Sequence, residues 1–142
     1  MFKHILLAVD LEHKDSWKKM VPEAIHYAQN AGSTLHVMTV VPNFGMSIVG
    51  SFFPKDYEEK MMQDMNDKLH QFVRDNIPDD IKVQHIVGHG IAYEEILRME
   101  KKLKCDLIII GSHRPTMQDY LLGPNAARVV RHANCSVMVV RD

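Results

Sequence analysis

The sequence predicts an α/β fold, a single doubly wound, five-stranded parallel sheet of the Rossmann-like type with helices on both faces. Short, β-branched apolar runs recur along the chain, and longer stretches with helical periodicity separate them. This alternation is typical of βαβ units, in which a helix connects each strand to the next parallel strand. With 142 residues and 46% hydrophobic content, the chain is expected to form one domain, residues 1–142.

The apolar runs predict five strands. The fourth run, centred on Leu-Ile-Ile-Ile at 107–110, is the most continuously apolar, as expected for a strand that helices cover on both faces. Taken in order along the chain, the predicted strands are 4–10, Thr34–Val41, 82–87, 106–111 and Ser136–Val140.

The first predicted helix follows strand one. Apolar residues at helical spacing run from Trp17 to Ala31, which indicates a helix that lies on the sheet. Asp15 or Ser16 is the expected N-cap, because both side chains accept hydrogen bonds from free N–H groups of a first turn. Gly32 is expected to end the helix in the left-handed conformation that glycine tolerates.

Three further helices are predicted. The second has a methionine-rich stripe that includes Met61 and Met65, and we expect these side chains to fill the core. The last helix begins at Gly123-Pro124, because proline suits the first helical position, where its missing N–H has no partner to lose. The three segments are 55–76, 92–104 and 123–133.

Composition excludes several classes of partner. The formal net charge is -1, with acids and bases mixed along the chain, so neither nucleic acid nor an anionic membrane is expected as a partner. No run approaches 18 apolar residues, and the first residues do not resemble a secretory signal, so we expect a cytoplasmic protein. Cys105 and Cys135 are then expected to be reduced thiols that pack as small apolar groups.

The topology of a doubly wound sheet predicts where a ligand binds. Crossovers are right-handed, and the common order for five strands is 3-2-1-4-5, in which the order reverses between strands one and four. Ligands of such sheets bind at the carboxyl ends of the strands that flank this reversal. The fold therefore selects the segment after Val9-Asp10 and the segment after Gly111 before any motif is considered.

Asp10 places a carboxylate where strand one stops. A carboxylate there can accept hydrogen bonds from an adenine amino group or a ribose hydroxyl. An aspartate at a strand end is also a common helix cap, and position alone does not separate these two interpretations.

The segment 111–125 connects strand four to the amino terminus of the last helix. Free N–H groups and the helix dipole favour an anion such as a phosphate at such a terminus. Gly111 allows a ligand to approach the backbone closely, and His113 and Arg114 can add side-chain contacts. An ordinary connection is the alternative, although connections of this length in compact domains are usually functional or disordered.

Several segments together resemble one known family. They are Val9-Asp10, Val-Val-Pro at 40–42, Gly90 followed by Glu95-Ile96, the run 105–112, Leu-Leu-Gly at 121–123 and the run 131–140. These segments span nearly the whole chain and resemble the universal stress protein family, whose phosphate loop has the pattern G-x2-G-x9-G-[ST]. The resemblance is closest to the F-type branch, which has a similarly shortened loop with a residue other than glycine at its second position.

Two residues depart from the family pattern. Arg114 stands in place of the second glycine, so a counter-charge for phosphate is gained while close backbone approach is lost. Pro124 stands in place of the Ser or Thr, which removes a hydroxyl and an N–H, although Asn125 supplies an amide donor next to it.

The resemblance implies a bound ATP or AMP, with or without Mg²⁺. Adenine is expected near Asp10 and the main chain of Val40, and the phosphates are expected near the start of the last helix. The implied binding residues are Ala8, Val9, Asp10, Val40, Gly111, His113, Arg114, Gly123, Pro124 and Asn125.

The resemblance also implies a homodimer. Strand five, Ser136–Val140, is an exposed edge of the predicted sheet, and unpaired edges invite pairing with another strand. The segment 42–54 carries six large apolar residues and is expected to be either a lid over the adenine side or a subunit contact, unless it folds back on its own helix.

The favoured function is that of a nucleotide-binding stress regulator without substantial turnover. A partner-interaction module of the same fold, without nucleotide, is the alternative. An enzyme is not expected, because G-x-x-x-x-G-K-[ST] is missing and no base and metal-ligand pair is evident, but weak ATP hydrolysis stays open. A metal at Cys105, His132 and Cys135 is not expected either, because a structural zinc needs a fourth ligand.

Overall fold

The computed structural model describes residues 2–41, 56–112 and 124–141. Its five strands form one parallel sheet in the order β3-β2-β1-β4-β5, which confirms the predicted fold class and strand order. The strands are β1 (His4–Ala8), β2 (Thr34–Val41), β3 (Lys82–His89), β4 (Leu107–Gly111) and β5 (Ser136–Val140).

Five helices cover the sheet in the described ranges. They are α1 (Lys14–Trp17), α2 (Met20–Ala31), α3 (Tyr57–Asn76), α4 (Ala92–Leu103) and α5 (Pro124–His132). None of them is long and apolar enough to cross a membrane. Because side chains alternate along a strand, each face of the sheet has its own apolar layer. One layer packs against α2 and α3, and the other packs against α4 and α5.

The predicted first helix is wrong in one respect, because the chain forms two helices there. α1 ends at Trp17 and α2 begins at Met20. Pro22 explains the break, since it has no N–H for the carbonyl of Lys18 and its ring would clash with that carbonyl in a continuous helix. The predicted end is confirmed, because Gly32 caps α2 in the left-handed conformation, with φ of 64°.

The predicted caps of that helix are also wrong. The residue before α1 is His13, and neither α1 nor α2 has a side-chain cap. Asp15 lies in the first turn of α1, where its charge favours the helix dipole. The hydroxyl of Ser16 donates to the carbonyl of His13, 2.6 Å away, so it does not serve as a cap.

Both cysteines are free thiols that lie at the amino ends of β4 and β5. Burial, together with a smaller effect of the nearby Glu100 carboxylate, raises the pKa of Cys105 to about 12 and that of Cys135 to about 11. Thiols with such pKa values stay protonated and unreactive near neutral pH. Cys105 is buried within the layer under α4 and α5, which agrees with its predicted packing role.

Candidate functional site

A cavity of about 590 Å³ opens at the carboxyl ends of β1 and β4, where the strand order reverses. This is the position that the topology of a doubly wound sheet predicts. Seven of the ten residues predicted to bind the ligand line this cavity, namely Ala8, Val9, Asp10, Val40, Gly111, Pro124 and Asn125. The other three, His113, Arg114 and Gly123, lie outside the described residues, as does the segment 42–54.

Asp10 holds its carboxylate at the mouth of the cavity through local contacts. Its Oδ1 accepts the N–H of Glu12 at 3.2 Å, and its Oδ2 lies 2.8 Å from Nδ1 of His13. Each carboxylate oxygen has two acceptor positions, and each of these two contacts occupies one of them. The carboxylate is therefore fixed in orientation while it keeps acceptor positions for a ligand.

Val40 presents main-chain groups to the cavity because β2 continues beyond β1. The last paired residues of these strands are Ala8 and Met38, and the Met38 carbonyl accepts the N–H of Val9 at 2.8 Å. Peptide groups alternate between the two edges of a strand, so Val40 faces the same edge as Met38. Its N–H and C=O thus lie past the end of the ladder, at the cavity.

Gly111 packs so closely against the main chain of Ser16 that a side chain would not fit there. A Cβ on Gly111 would lie 2.8 Å from the main-chain oxygen of Ser16 and 3.8 Å from Sδ of Met20. The close approach that this glycine permits is therefore to the main chain of α1. Approach of a ligand to Gly111, which the sequence also predicts, stays a prediction.

Asn125 joins the amino termini of α4 and α5. Its Oδ1 accepts the N–H of Tyr93 at 3.2 Å, so the side-chain oxygen is occupied and the amide NH₂ is left as the donor. Pro124 is the first residue of α5, as predicted, and it contributes no N–H. The donors of this terminus are consequently the Asn125 side chain and the N–H groups that follow Pro124.

Methionine thioethers form much of the cavity wall, which sequence reasoning missed. Met20, Met38, Met61 and Met65 all line the cavity. The prediction that Met61 and Met65 fill the core is wrong, because both are half-buried and face the cavity from α3. Their spacing of four residues could have indicated a shared helix face, but it does not tell whether that face meets the sheet or an opening.

His13 is the second residue that sequence reasoning missed. It lies three residues after Asp10, and the two side chains form the 2.8 Å contact at the cavity mouth. The charged groups among the described lining residues are Asp10, Glu12 and, when protonated, His13. No Lys or Arg belongs to that lining, and within the described ranges no cluster of three His, Cys, Asp or Glu is placed to hold a metal ion.

The protein is a doubly wound α/β protein, as its sheet order and the helices on both faces show. Its cavity lies at the reversal point, where proteins of this class typically bind small ligands. Within this class, the chain belongs to the Universal stress protein family, whose model matches residues 1–141. The predicted membership of this family is thereby confirmed.

Named relatives and solved structures agree with this assignment. Universal stress protein G of Shigella flexneri is 30% identical over 143 residues, which cover 99% of this chain and all of that protein. The structure of protein MJ0577 aligns with a TM-score of 0.83 at 22% identity and covers 100% of this chain and 97% of that one.

Two further solved structures contain nucleotides. A universal stress protein in complex with cAMP aligns with a TM-score of 0.63 at 17% identity, covering 99% of this chain and 97% of that one. The universal stress protein of Archaeoglobus fulgidus in complex with dAMP aligns with a TM-score of 0.65 at 16% identity, covering 96% of each chain. At these identities the alignments establish the shared fold.

Proposed function

We propose that this protein is a cytoplasmic, adenine-nucleotide-binding regulator that acts as a homodimer and does not turn over its ligand at a substantial rate. The observation that carries the proposal is the cavity at the reversal point of the sheet, where a fixed carboxylate, the main chain of Val40 and a helix amino terminus converge. The main chain of Val40 suits the edge of a base, the carboxylate suits an amino group or a ribose hydroxyl, and the helix amino terminus suits the phosphates.

The adenine end fits the walls and the floor of the cavity. Met38, Met61 and Met65 supply flexible thioethers, which contact aromatic rings favourably and adapt to a flat base. The main-chain N–H and C=O of Val40 can pair with the base edge, and the Asp10 carboxylate can accept from an amino group or a ribose hydroxyl. Hydrogen bonds to a charged acceptor each contribute about 1.5 to 3 kcal/mol.

The phosphate end fits the start of α5. Free N–H groups at a helix amino terminus and the dipole of the helix favour an anion there. The Asn125 amide is oriented as a donor by its contact with Tyr93. The related proteins solved with cAMP and dAMP show that adenine nucleotides are ligands of other members of this family.

The exposed edge of β5 supports the proposed dimer. Ser112 donates to the carbonyl of Val140 at 3.2 Å, so the peptide groups of Val140 face β4. By alternation, those of Val137 and Val139 point away from the sheet. The four apolar residues of β5 are only half-buried, and such an edge pairs readily with a second copy of itself.

A regulatory role is favoured over catalysis because the sequence contains no G-x-x-x-x-G-K-[ST] loop. The protein would therefore respond to a nucleotide by changing its contacts, which requires that the ligand bind two states of the protein with different affinities.

Calorimetric titration of the purified, ligand-stripped protein with ATP and AMP tests the proposal. We expect binding by the unaltered chain and an affinity about tenfold or more lower for Asp10→Asn, which keeps the size but removes the charge. Asp15→Asn is the matched control, because Asp15 is an exposed acid on α1 outside the cavity lining. Mass spectrometry of small molecules released on denaturation identifies any nucleotide that co-purifies.

Absence of heat with both nucleotides, together with no released nucleotide, would contradict the proposal. That result would favour a partner-interaction module of the same fold without nucleotide.

A further inference from the structure

A second pocket of about 380 Å³ runs along the outer face of α5. It is lined by Tyr93, Pro124, Ala127, Arg128, Arg131 and His132. The described lining residues include two arginines, and none of those lining residues carries a carboxylate. This is the reverse of the main cavity, whose described lining contains two carboxylates and no Lys or Arg.

The two cavities share one lining residue at the start of α5, because Pro124 lines both of them. Arg128 lies four residues further along the helix, about 6 Å along its axis, and Arg131 lies about 10 Å from Pro124. A chain of phosphates that leaves the main cavity over the amino terminus of α5 would therefore meet Arg128 first and Arg131 second.

Arg128 is positioned by contacts on the protein side. Its guanidinium carbon lies 4.8 Å from the centre of the Tyr93 ring, and its Nη1 donates to the Tyr93 hydroxyl at 2.9 Å. A guanidinium has five N–H donors, so most of them stay available to a phosphate after this one contact. Tyr93 thus holds Arg128 against the wall of the pocket and leaves its donor face open.

Stabilisation of the helix dipole does not explain every basic residue that lines this pocket. Arg131 and His132 lie in the last turn of α5, where a cation favours the negative end of the dipole. Arg128 lies before that turn, and α5 contains no acidic residue with which it could pair. Among the described residues, neither Arg131 nor Arg128 forms an ion pair with a carboxylate.

From these contacts we infer that Arg128 and Arg131 form a subsite for the distal phosphates of the nucleotide, so that the protein binds ATP more tightly than AMP. This inference rests on the proposed function, because it assumes that the base occupies the main cavity. Carboxylates at the mouth of that cavity repel a polyphosphate, whereas the α5 pocket supplies bidentate donors for phosphate oxygens.

Calorimetry with four ligands separates this inference from the proposed function. The ligands are adenosine, AMP, ATP and inorganic tripolyphosphate, each titrated into the unaltered chain and into Arg128→Gln/Arg131→Gln. Arg98→Gln is the control, because it removes one exposed arginine that pairs with Glu95 on α4 and lines neither cavity. Thermal unfolding checks that each variant is folded.

We expect ATP to bind the unaltered chain about tenfold or more tightly than AMP, and the double variant to lose that difference while its affinity for adenosine is unchanged. Tripolyphosphate alone should bind weakly and lose its binding in the same variant. Nucleotide binding in which the difference between ATP and AMP survives in the double variant would overturn the subsite and leave the proposed function standing. No binding of adenosine or either nucleotide would overturn both.

Discussion

Two glycines of this chain, Gly32 and Gly111, are needed for two different physical reasons. Gly32 ends α2 with φ of 64°, and no atom lies within 4 Å of the place where its Cβ would be. Gly111 has no such backbone requirement, but a Cβ there would lie 2.8 Å from the Ser16 main-chain oxygen. The first glycine is needed for its conformation, and the second for its lack of a side chain.

The Gly111→Ala variant is therefore expected to lose about 1 to 3 kcal/mol of unfolding free energy, because a main-chain oxygen cannot rotate away as a side chain can. Gly32→Asn is the control, since asparagine tolerates the left-handed conformation and the space is open, and it should lose less than about 1 kcal/mol. Urea unfolding of both variants measures the difference. Equal losses in the two variants would show that the contact with α1 is not the reason for Gly111.

At the scale of elements, the amino-terminal halves of β1, β2 and β3 carry a row of polar side chains across one face of the sheet. Nδ1 of His36 lies 2.5 Å from Oε1 of Gln84, and its Nε2 lies 3.1 Å from Nδ1 of His4. Because Gln84 accepts from His36, the neutral ring of His36 accepts from His4. A proton added to His36 would place two donors face to face unless His4 changed its tautomer, and it would charge a ring that is only 4% exposed.

Stability is expected to fall as the pH is lowered. Burial and the neighbouring His4 lower the pKa of His36, and burial, His70 and Arg74 lower the pKa of His85. As the pH drops below about 6.5, the unfolded chain takes up these protons before the folded protein does. The contribution of the two histidines to the free energy of unfolding is therefore fully present above that pH and is lost below it. The slope reaches at most about 1.4 kcal/mol per pH unit for each proton.

Urea unfolding between about pH 7 and pH 5 measures this slope. The slope should decrease in His36→Gln, whereas His26→Gln, an exposed histidine on α2, should leave it unchanged. A slope that stays the same in His36→Gln would show that His36 is not the group responsible.

The proposed dimer depends on the outward-facing peptide groups of β5. Val139→Pro removes an N–H that points away from β4, so the internal ladder is kept while pairing with a second copy is lost. We expect this variant to be folded and monomeric by analytical ultracentrifugation. Val139→Thr keeps both the N–H and the β-branched shape and should remain dimeric. A dimeric Val139→Pro protein would place the interface elsewhere.

At the scale of the whole molecule, the fold could be predicted because it depends on local patterns. The apolar run 107–110 and the spacing of apolar residues in α2 and α3 identify strands and helices, and chain order with right-handed crossovers then fixes the sheet. The place of the cavity follows from that order alone, which is why Asp10 could be named in advance, whereas Asn125 was implied by the family resemblance.

What the sequence did not reveal depends on contacts between distant segments. The two walls of the cavity meet only after α3 has packed on the sheet, so no local pattern assigns Met61 and Met65 to the cavity instead of the core. The contact of Gly111 with Ser16 joins residues far apart in the chain. The break before α2 is the exception, because Pro22 is a local signal for it. The order of the strands determines where the cavity lies, and the packing of distant segments determines which side chains line it.

A titration of the ¹⁵N-labelled protein with AMP, followed by amide chemical shifts, tests most directly whether this cavity binds an adenine nucleotide. We expect changes at the carboxyl ends of the strands, at Val9, Val40, Gly111 and Asn125, and no change at the amino ends, at Ser33, Asp106 and Cys135. Changes confined to the amino ends, or no change at saturating AMP, would contradict the claim that this cavity binds an adenine nucleotide.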